Sequence, residues 1–306
     1  MRVFDLHTDS PSALYDRRAE RMSTPEKTAI FSPYVQVAAC FCPTSKSDED
    51  GYRAIHGLLD LWLSEQEVKR SRILLESTNT LKYALSNNKK AYVLSLEDAR
   101  VLCGCTERVN ALFARGIRLI TPLWRGQSII GGAWNTDAGL SPFGIQAMEC
   151  FLSLGGIIDL SHASRRSHKE FVALCKCHGR APIATHSNAF SISPHPRNLT
   201  DEQIREIALL GGVIGLNLYP SFLTPASHAT LDDVLAHIRH IHRVGGKQVL
   251  ALGSDFDGVD FLPDGIASAE DLPRLAEYLR RSGFTADEID AFFYTNAVAY
   301  FLENFP

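Results

Sequence analysis

The chain has no apolar run long enough to cross a bilayer, no excess of basic residues and no low-complexity tract. A spanning helix needs about 20 consecutive apolar residues, so no membrane partner is expected. With 31 Lys and Arg against 35 Asp and Glu, the formal net charge is -4. A protein that tracks a phosphate backbone shows a basic stripe instead, so no nucleic-acid partner is expected either. There is no Cys-x-x-Cys motif. Six of the seven cysteines form Cys-x-Cys pairs, Cys40/Cys42, Cys103/Cys105 and Cys175/Cys177. On a strand that spacing puts both thiols on one face, and reduced, partly buried thiols are the expectation. The first residues have the pattern of a strand rather than a secretion signal, and no apolar tail closes the chain. A cytoplasmic location is therefore expected. Without repeats or linkers, residues 1–306 are expected to form one domain.

What is present is a recurring alternation. Eight short apolar, β-branched runs occur: Val3–His7, Tyr34–Phe41, Ala91–Glu97, Ile117–Thr121, Gly156–His162, Pro182–His186, Gly212–Asn217 and Gln248–Asp255. Most are followed by a helical pattern. Tyr52–Arg72 places Ile55, Leu58, Leu59, Trp62 and Leu63 on one face. Leu231–Val244 and Leu272–Arg281 supply later helices, and capping boxes begin at Thr200 and Thr285. Continuous apolar strands alternating with amphipathic helices predict a parallel sheet covered by helices. Eight such units predict an α/β fold closed as a (β/α)8 TIM barrel. Three long connections, Arg17–Pro33, Pro122–Ser141 and Phe256–Ala269, leave the C-terminal ends of strands, where a barrel builds its active-site mouth.

The chemistry lies at those strand ends. They carry His7 and Asp9, then Glu97, His162, His186 and Asp255. Charged and imidazole side chains are costly beside core strands unless paired or bound to a metal. His7 and Asp9, two apart on a strand, point to the same side and can chelate one cation. Imidazole with carboxylate suits zinc and related divalent ions. Glu97 is the candidate bridge between two ions, and His162 and His186 complete the second. Each residue alone has a plainer role. Asp9 can cap a helix starting near Pro11, Glu97 can pair with Arg100, and either histidine can be a satisfied core residue. Their convergence at five strand ends favours the metal site. His237, His240 and His242 share one predicted helix and are expected on its solvated surface.

These segments resemble the membrane (renal) dipeptidases and their bacterial relatives, within the amidohydrolase-type barrels. The matching pieces are Asp5-Leu6-His7-Thr8-Asp9, Ser95-Leu96-Glu97, Gly139-Leu140-Ser141-Pro142-Phe143-Gly144 and Ile158-Asp159-Leu160-Ser161-His162. Thr185-His186-Ser187-Asn188, His195-Pro196-Arg197-Asn198-Leu199-Thr200-Asp201 and Gly253-Ser254-Asp255-Phe256-Asp257-Gly258 follow, so the resemblance covers nearly the whole chain. It implies two zinc ions, with His7 and Asp9 on one, Glu97 bridging, and His162 and His186 on the other. It implies Arg197 on the substrate's terminal carboxylate, which a planar guanidinium can bind through two oxygens, and Asp255 managing the proton. Many relatives carry a substrate-contacting His after the fourth strand. Trp124 stands at the corresponding place, leaving Arg125 or Asn135 as alternative donors and Trp124 and Trp134 as pocket walls. Asn217 is a further expected substrate contact.

The expected activity is zinc-dependent hydrolysis of short peptides with a free C-terminus, by a water held between two zinc ions and relieved of a proton. A related amidohydrolase acting on a lactone, a β-lactam or an N-acyl amino acid is an alternative, as is a non-catalytic binding protein on the same barrel. A homodimer is expected on base rates and on the resemblance.

Overall fold

The computed structural model describes residues 1–65 and 72–306. Its strands are β1 Val3–Thr8, β2 Tyr34–Phe41, β3 Arg72–Leu74, β4 Lys90–Glu97, β5 Ile117–Thr121, β6 Ile157–Ile158, β7 Ile183–Ala184, β8 Val213–Leu216 and β9 Leu250–Leu252. All the ladders are parallel. One sheet runs β1-β2-β4-β5-β6, with β3 beside the start of β4, and the second runs β7-β8-β9. Two single bridges, Asp159 to Ile183 and Thr8 to Phe256, join the sheets at both edges. The strands therefore follow one another around a barrel-like α/β arrangement, with helices between them.

All eight expected strands are present, but four are shorter than the apolar runs. Gly156–His162 is extended only at Ile157–Ile158, and Pro182–His186 only at Ile183–Ala184. The remainder bends because side chains take over the backbone bonds: Asp159 accepts the N–H groups of both Ser161 and Thr185 at 2.9 Å. β3 is an addition that the sequence reading missed. The helix expected over Tyr52–Arg72 runs from Asp48 to Ser64, and Arg72 begins β3; the part of that expectation over 66–71 lies outside the described residues. Its N-terminus is set by Ser47, whose hydroxyl accepts the Asp50 N–H at 3.1 Å, with Asp48, Glu49 and Asp50 in the first turn where the helix dipole favours them. The capping boxes at Thr200 and Thr285 are both formed.

Residue parity along the strands separates two chemistries. Val93, Leu119, Ile157, Ile183, Val213 and Ala251 share one buried apolar cluster. Counting on by two or four, the same strand face continues to Glu97, Thr121, Asp159, Thr185, Asn217 and Asp255. One face of the sheet thus runs from an apolar base to a polar rim. The opposite parity (Leu94, Leu96, Ile120, Ile158, Ile214, Leu250) packs against helices through Ile55, Leu112, Phe151 and Ile238.

The cysteines are free and mostly buried or half-buried, as expected, though one pair does not share a face, and the expectation for the helix histidines is corrected. Cys175 is buried and Cys177 exposed, because both lie on the helix Arg165–Cys177, where a spacing of two turns side chains to different sides. His237 and His240 are buried rather than solvated. His237 accepts the Ala189 N–H at 3.0 Å through Nδ1 and donates to the Leu223 carbonyl at 2.9 Å through Nε2. It ties the helix Leu231–Gly245 to two loops, and both ring nitrogens are satisfied only in the neutral form. Burial lowers its pKa from 6.5 to about 4. Between those values the unfolded chain binds the proton and the folded chain does not, so stability falls as pH drops through that window. Denaturant unfolding of chelated protein at pH 7.5 and 4.5 should show this loss, of which His237 contributes roughly 3 kcal/mol; His237→Gln should flatten the pH dependence by that amount.

Candidate metal and substrate site

At the polar rim three imidazoles and three carboxylates meet, all buried. His7 Nε2 lies 3.5 Å from Asp9 Oδ2, 3.6 Å from Glu97 Oε2 and 4.0 Å from Asp255 Oδ1. On the other side of Glu97, its Oε1 lies 3.2 Å from His162 Nε2 and 3.7 Å from His186 Nε2. The donor atoms form compact triads: His7, Asp9 and Glu97; Glu97, His162 and His186; and His7, His186 and Asp255. The first two are the groups expected from the sequence, with Glu97 common to both. The third brings Asp255 among the donors, beyond its expected proton role.

The plainer alternatives do not hold in the fold. Asp9 occupies the position before the helix Ser10–Tyr15 but makes no side-chain cap. Arg100 pairs with Asp98 at 2.9 Å and Asp48 at 2.7 Å, not with Glu97. Backbone strain concentrates here as well: His162, Asp255 and Asp257 have φ of 68°, 62° and 70°, a region that non-glycine residues seldom adopt. Gly258 has no Cβ where one would collide with the carboxylates of Asp9 and Asp255.

The donor set fits a divalent metal. His162 Nδ1 faces the Trp124 carbonyl at 2.9 Å, so it carries the hydrogen and Nε2 keeps its lone pair. Yet His162 Nε2 and His186 Nε2 are 2.9 Å apart, and His7 Nε2 is buried with no hydrogen-bond partner. Ring nitrogens converging in this way are ordinary around a cation and unfavourable without one.

The charges agree. Burial opposes ionisation of Glu97, but His7 and His162 outweigh it and hold its carboxyl well below the usual range. Burial also opposes charging His7, and Glu97 and Asp9 outweigh it to raise its pKa. Asp9 is pushed up to about 7, by burial first and then by Glu97. Burial raises Asp255, opposed by His7 and by Asn217. Positive charge is what this cluster lacks.

Above it lies a cavity of about 490 Å³, within the range of small-molecule sites. All three long connections reach it, through Arg18, through Trp124, Arg125 and Trp134, and through Val259 and Asp260. Arg197 also lines it. This guanidinium is buried, donates to the His186 carbonyl at 3.2 Å, and leaves Nε unsatisfied. Among the described residues it has no carboxylate within ion-pair distance, and burial lowers its pKa to about 10.

Trp124 does line the cavity, its ring 5.0 Å from Phe41. Arg125 lines it too, whereas Asn135 accepts the Gly126 N–H at 2.6 Å and serves the loop. Asn217 stands behind Asp255. It is fully buried and absent from the cavity wall, where it donates through Nδ2 to Asp255 Oδ2 at 2.8 Å while its Oδ1 accepts the Tyr219 N–H at 2.6 Å. The second bond fixes the amide so that only its NH₂ can face Asp255. Phe41, His195, Tyr219 and Phe222, none of them an expected site residue, are also on the wall. Nothing in their spacing marks them, since they arrive from separate loops.

A family model described as membrane dipeptidase, peptidase family M19, matches residues 1–303. An uncharacterized Klebsiella pneumoniae protein from the pqqA 5' region is 33% identical over 253 residues, covering 78% of this chain and 87% of that protein. An uncharacterized dipeptidase of Schizosaccharomyces pombe is 31% identical over 249 residues, covering 74% of this chain but only 58% of its own length. A Rhodobacter sphaeroides metallo peptidase, solved with a phosphinate mimic of the dipeptide L-Ala-D-Ala, superposes with a TM-score of 0.90 at 21% identity, covering 100% of this chain and 99% of that one.

Proposed function

This chain belongs to the membrane dipeptidase family and is a metal-dependent hydrolase, and from that premise we propose that it is a two-zinc dipeptidase acting on short substrates with a free C-terminal carboxylate. The observation that carries this reading is the pairing of two donor triads sharing Glu97 with a buried, unpaired Arg197 in one cavity. His7 and Asp9 would hold one ion, His162 and His186 the other, and Glu97 both. A pair of bound divalent ions supplies a water of lowered pKa and polarises the scissile carbonyl.

The chain's own residues do the rest. Arg197 binds the terminal carboxylate and so fixes the distance from that end to the metal donors, which selects dipeptides over longer chains. Asp255 accepts the proton released during attack and delivers it to the leaving amine. Its raised pKa favours that exchange, and Asn217 keeps one carboxylate oxygen engaged so that the other faces the site. Phe41, Trp124 and Trp134 wall the cavity and exclude water. Trp124 offers no imidazole to the developing oxyanion, which leaves Arg125 as the candidate donor on the cavity wall. The absence of that donor also supports a second reading, in which the same centre opens a lactone, a β-lactam or an N-acyl amino acid. The proposal extends to a cytoplasmic homodimer, supported by the sequence pattern and by the prevalence of two-fold assemblies.

Purified protein should contain about two zinc ions per chain, and chelation should abolish cleavage of L,L or L,D dipeptides; the ligand in the Rhodobacter sphaeroides structure is the reason to include both series. Glu97→Ala should lower the metal content below one ion per chain and remove the activity, and full activity in that variant would sink the scheme. Arg197→Ala should lower kcat/KM for dipeptides by about 30-fold or more, since an unpaired buried carboxylate costs about 2–5 kcal/mol. The same variant should leave hydrolysis of a substrate without a carboxylate nearly unchanged. An equal loss on both substrates would assign Arg197 a purely structural role.

A further inference from the structure

Behind the metal donors, one buried carboxylate and one hydroxyl are bonded so that each contact dictates the next. Asp159 accepts four donors. Its Oδ1 takes the backbone N–H groups of Ser161 and Thr185, both at 2.9 Å. Its Oδ2 takes the hydroxyls of Thr121 at 2.6 Å and Thr185 at 2.5 Å. The Thr185 hydroxyl has one hydrogen, and it is spent on Asp159; what remains are lone pairs. Two imidazole nitrogens face them, His186 Nδ1 at 2.8 Å and His7 Nδ1 at 3.2 Å. A hydroxyl that can only accept requires N–H on both rings.

We infer that Asp159 and Thr185 act together as positioning residues that hold the hydrogen of His7 and His186 on Nδ1, so that both rings offer Nε2 to the metal site. The inference rests on the two-metal reading only for its purpose; the hydrogen-bond logic stands on the side chains themselves. It accounts for a threonine, fully buried, between the two ligand sets. Metal-bound histidines commonly donate their second N–H to a partner that fixes the ring, and loss of that partner typically lowers metal affinity about 10–100-fold. Here one hydroxyl serves a ring from each proposed ion, so the two ions share an orienting group as well as Glu97. The fold makes room for it. Gly215 and Gly253 lie where a Cβ on either would collide with the Thr185 backbone carbonyl, so these glycines let the neighbouring strands close around that residue.

Asp159→Asn makes the logic testable. The two backbone N–H groups keep the amide oxygen on their side, which turns the NH₂ toward Thr185. The hydroxyl then accepts from residue 159 and gives its own hydrogen to one imidazole, forcing that ring's hydrogen onto Nε2. Thr185→Val keeps the shape and removes the hydroxyl, and Thr185→Ser restores it. Two measurements apply: zinc affinity by competition with a chromophoric chelator, and histidine ¹⁵N–¹H spectra of the chelated protein at pH 8.

Wild type and Thr185→Ser should both show Nδ1–H signals for His7 and His186. Thr185→Val should lose about 10–100-fold in zinc affinity while the chelated protein keeps its melting temperature within a few degrees, and Asp159→Asn should move one ring to the Nε2–H form. A wild-type His186 hydrogen on Nε2, or Thr185→Val with unchanged spectra and affinity, overturns the inference. Wild type that binds no zinc yet keeps both Nδ1–H signals overturns the two-metal reading and supports the relay. If Asp159→Asn does not fold, Thr185→Val against Thr185→Ser decides the question alone.

Discussion

Holding Asp9, Glu97 and Asp255 together out of water is the constraint on which the rest of this structure depends. A buried carboxylate without a counter-charge is costly, and here three of them crowd around His7. One protonated imidazole does not balance them, which is why burial drives Asp9 and Asp255 toward the neutral form while Glu97, with His7 and His162 beside it, stays charged. A divalent cation resolves the imbalance, and the ring nitrogens of His7, His162 and His186 are oriented to receive one.

The barrel-like arrangement makes that crowding attainable. One strand parity carries an apolar base and then, a few residues on, the polar rim, so the cost of burying the site is offset by apolar burial on the same strands. Several strands stop early for the same reason. Their last residues leave the ladder, and carboxylates and hydroxyls such as Asp159 and Ser254 take over the backbone bonds. Asp5 does this at the opposite seam, accepting the Ser254 N–H at 2.9 Å and hydroxyl at 2.5 Å, where the last strand returns to the first. The strained backbones of His162, Asp255 and Asp257 are tolerated within this network, which determines their positions several times over.

Substrate recognition is built from a different part of the chain. Arg197 sits on a loop, not a strand, and among the described residues its guanidinium has no carboxylate partner, which distinguishes it from Arg100, buried against Asp98 and Asp48. The loop that carries it is anchored by neutral His237 from the helix beneath. The same histidine reaches Leu223, beside Phe222 of the cavity wall, so a single buried ring aligns two walls of the pocket.

The repeated apolar runs and the residues at their ends were enough to predict parallel strands, the alternation with helices and five side chains that converge at the candidate site. Those signals are local: period, chain order, and the expense of placing His or Asp beside a core strand. His7, Asp9, Glu97, His162 and His186 could be named because each lies at or a few residues past the end of an apolar strand. Tertiary structure alone decided what depends on contact between distant segments. It sent His237 inward, turned Asn217 from the cavity to Asp255, kept Arg100 from Glu97, and brought Phe41, His195 and Phe222 onto one wall. It also placed Thr185 against His7, 178 residues away in the chain. A hydroxyl's role is set by which donor and acceptor it meets, and no local pattern records that meeting.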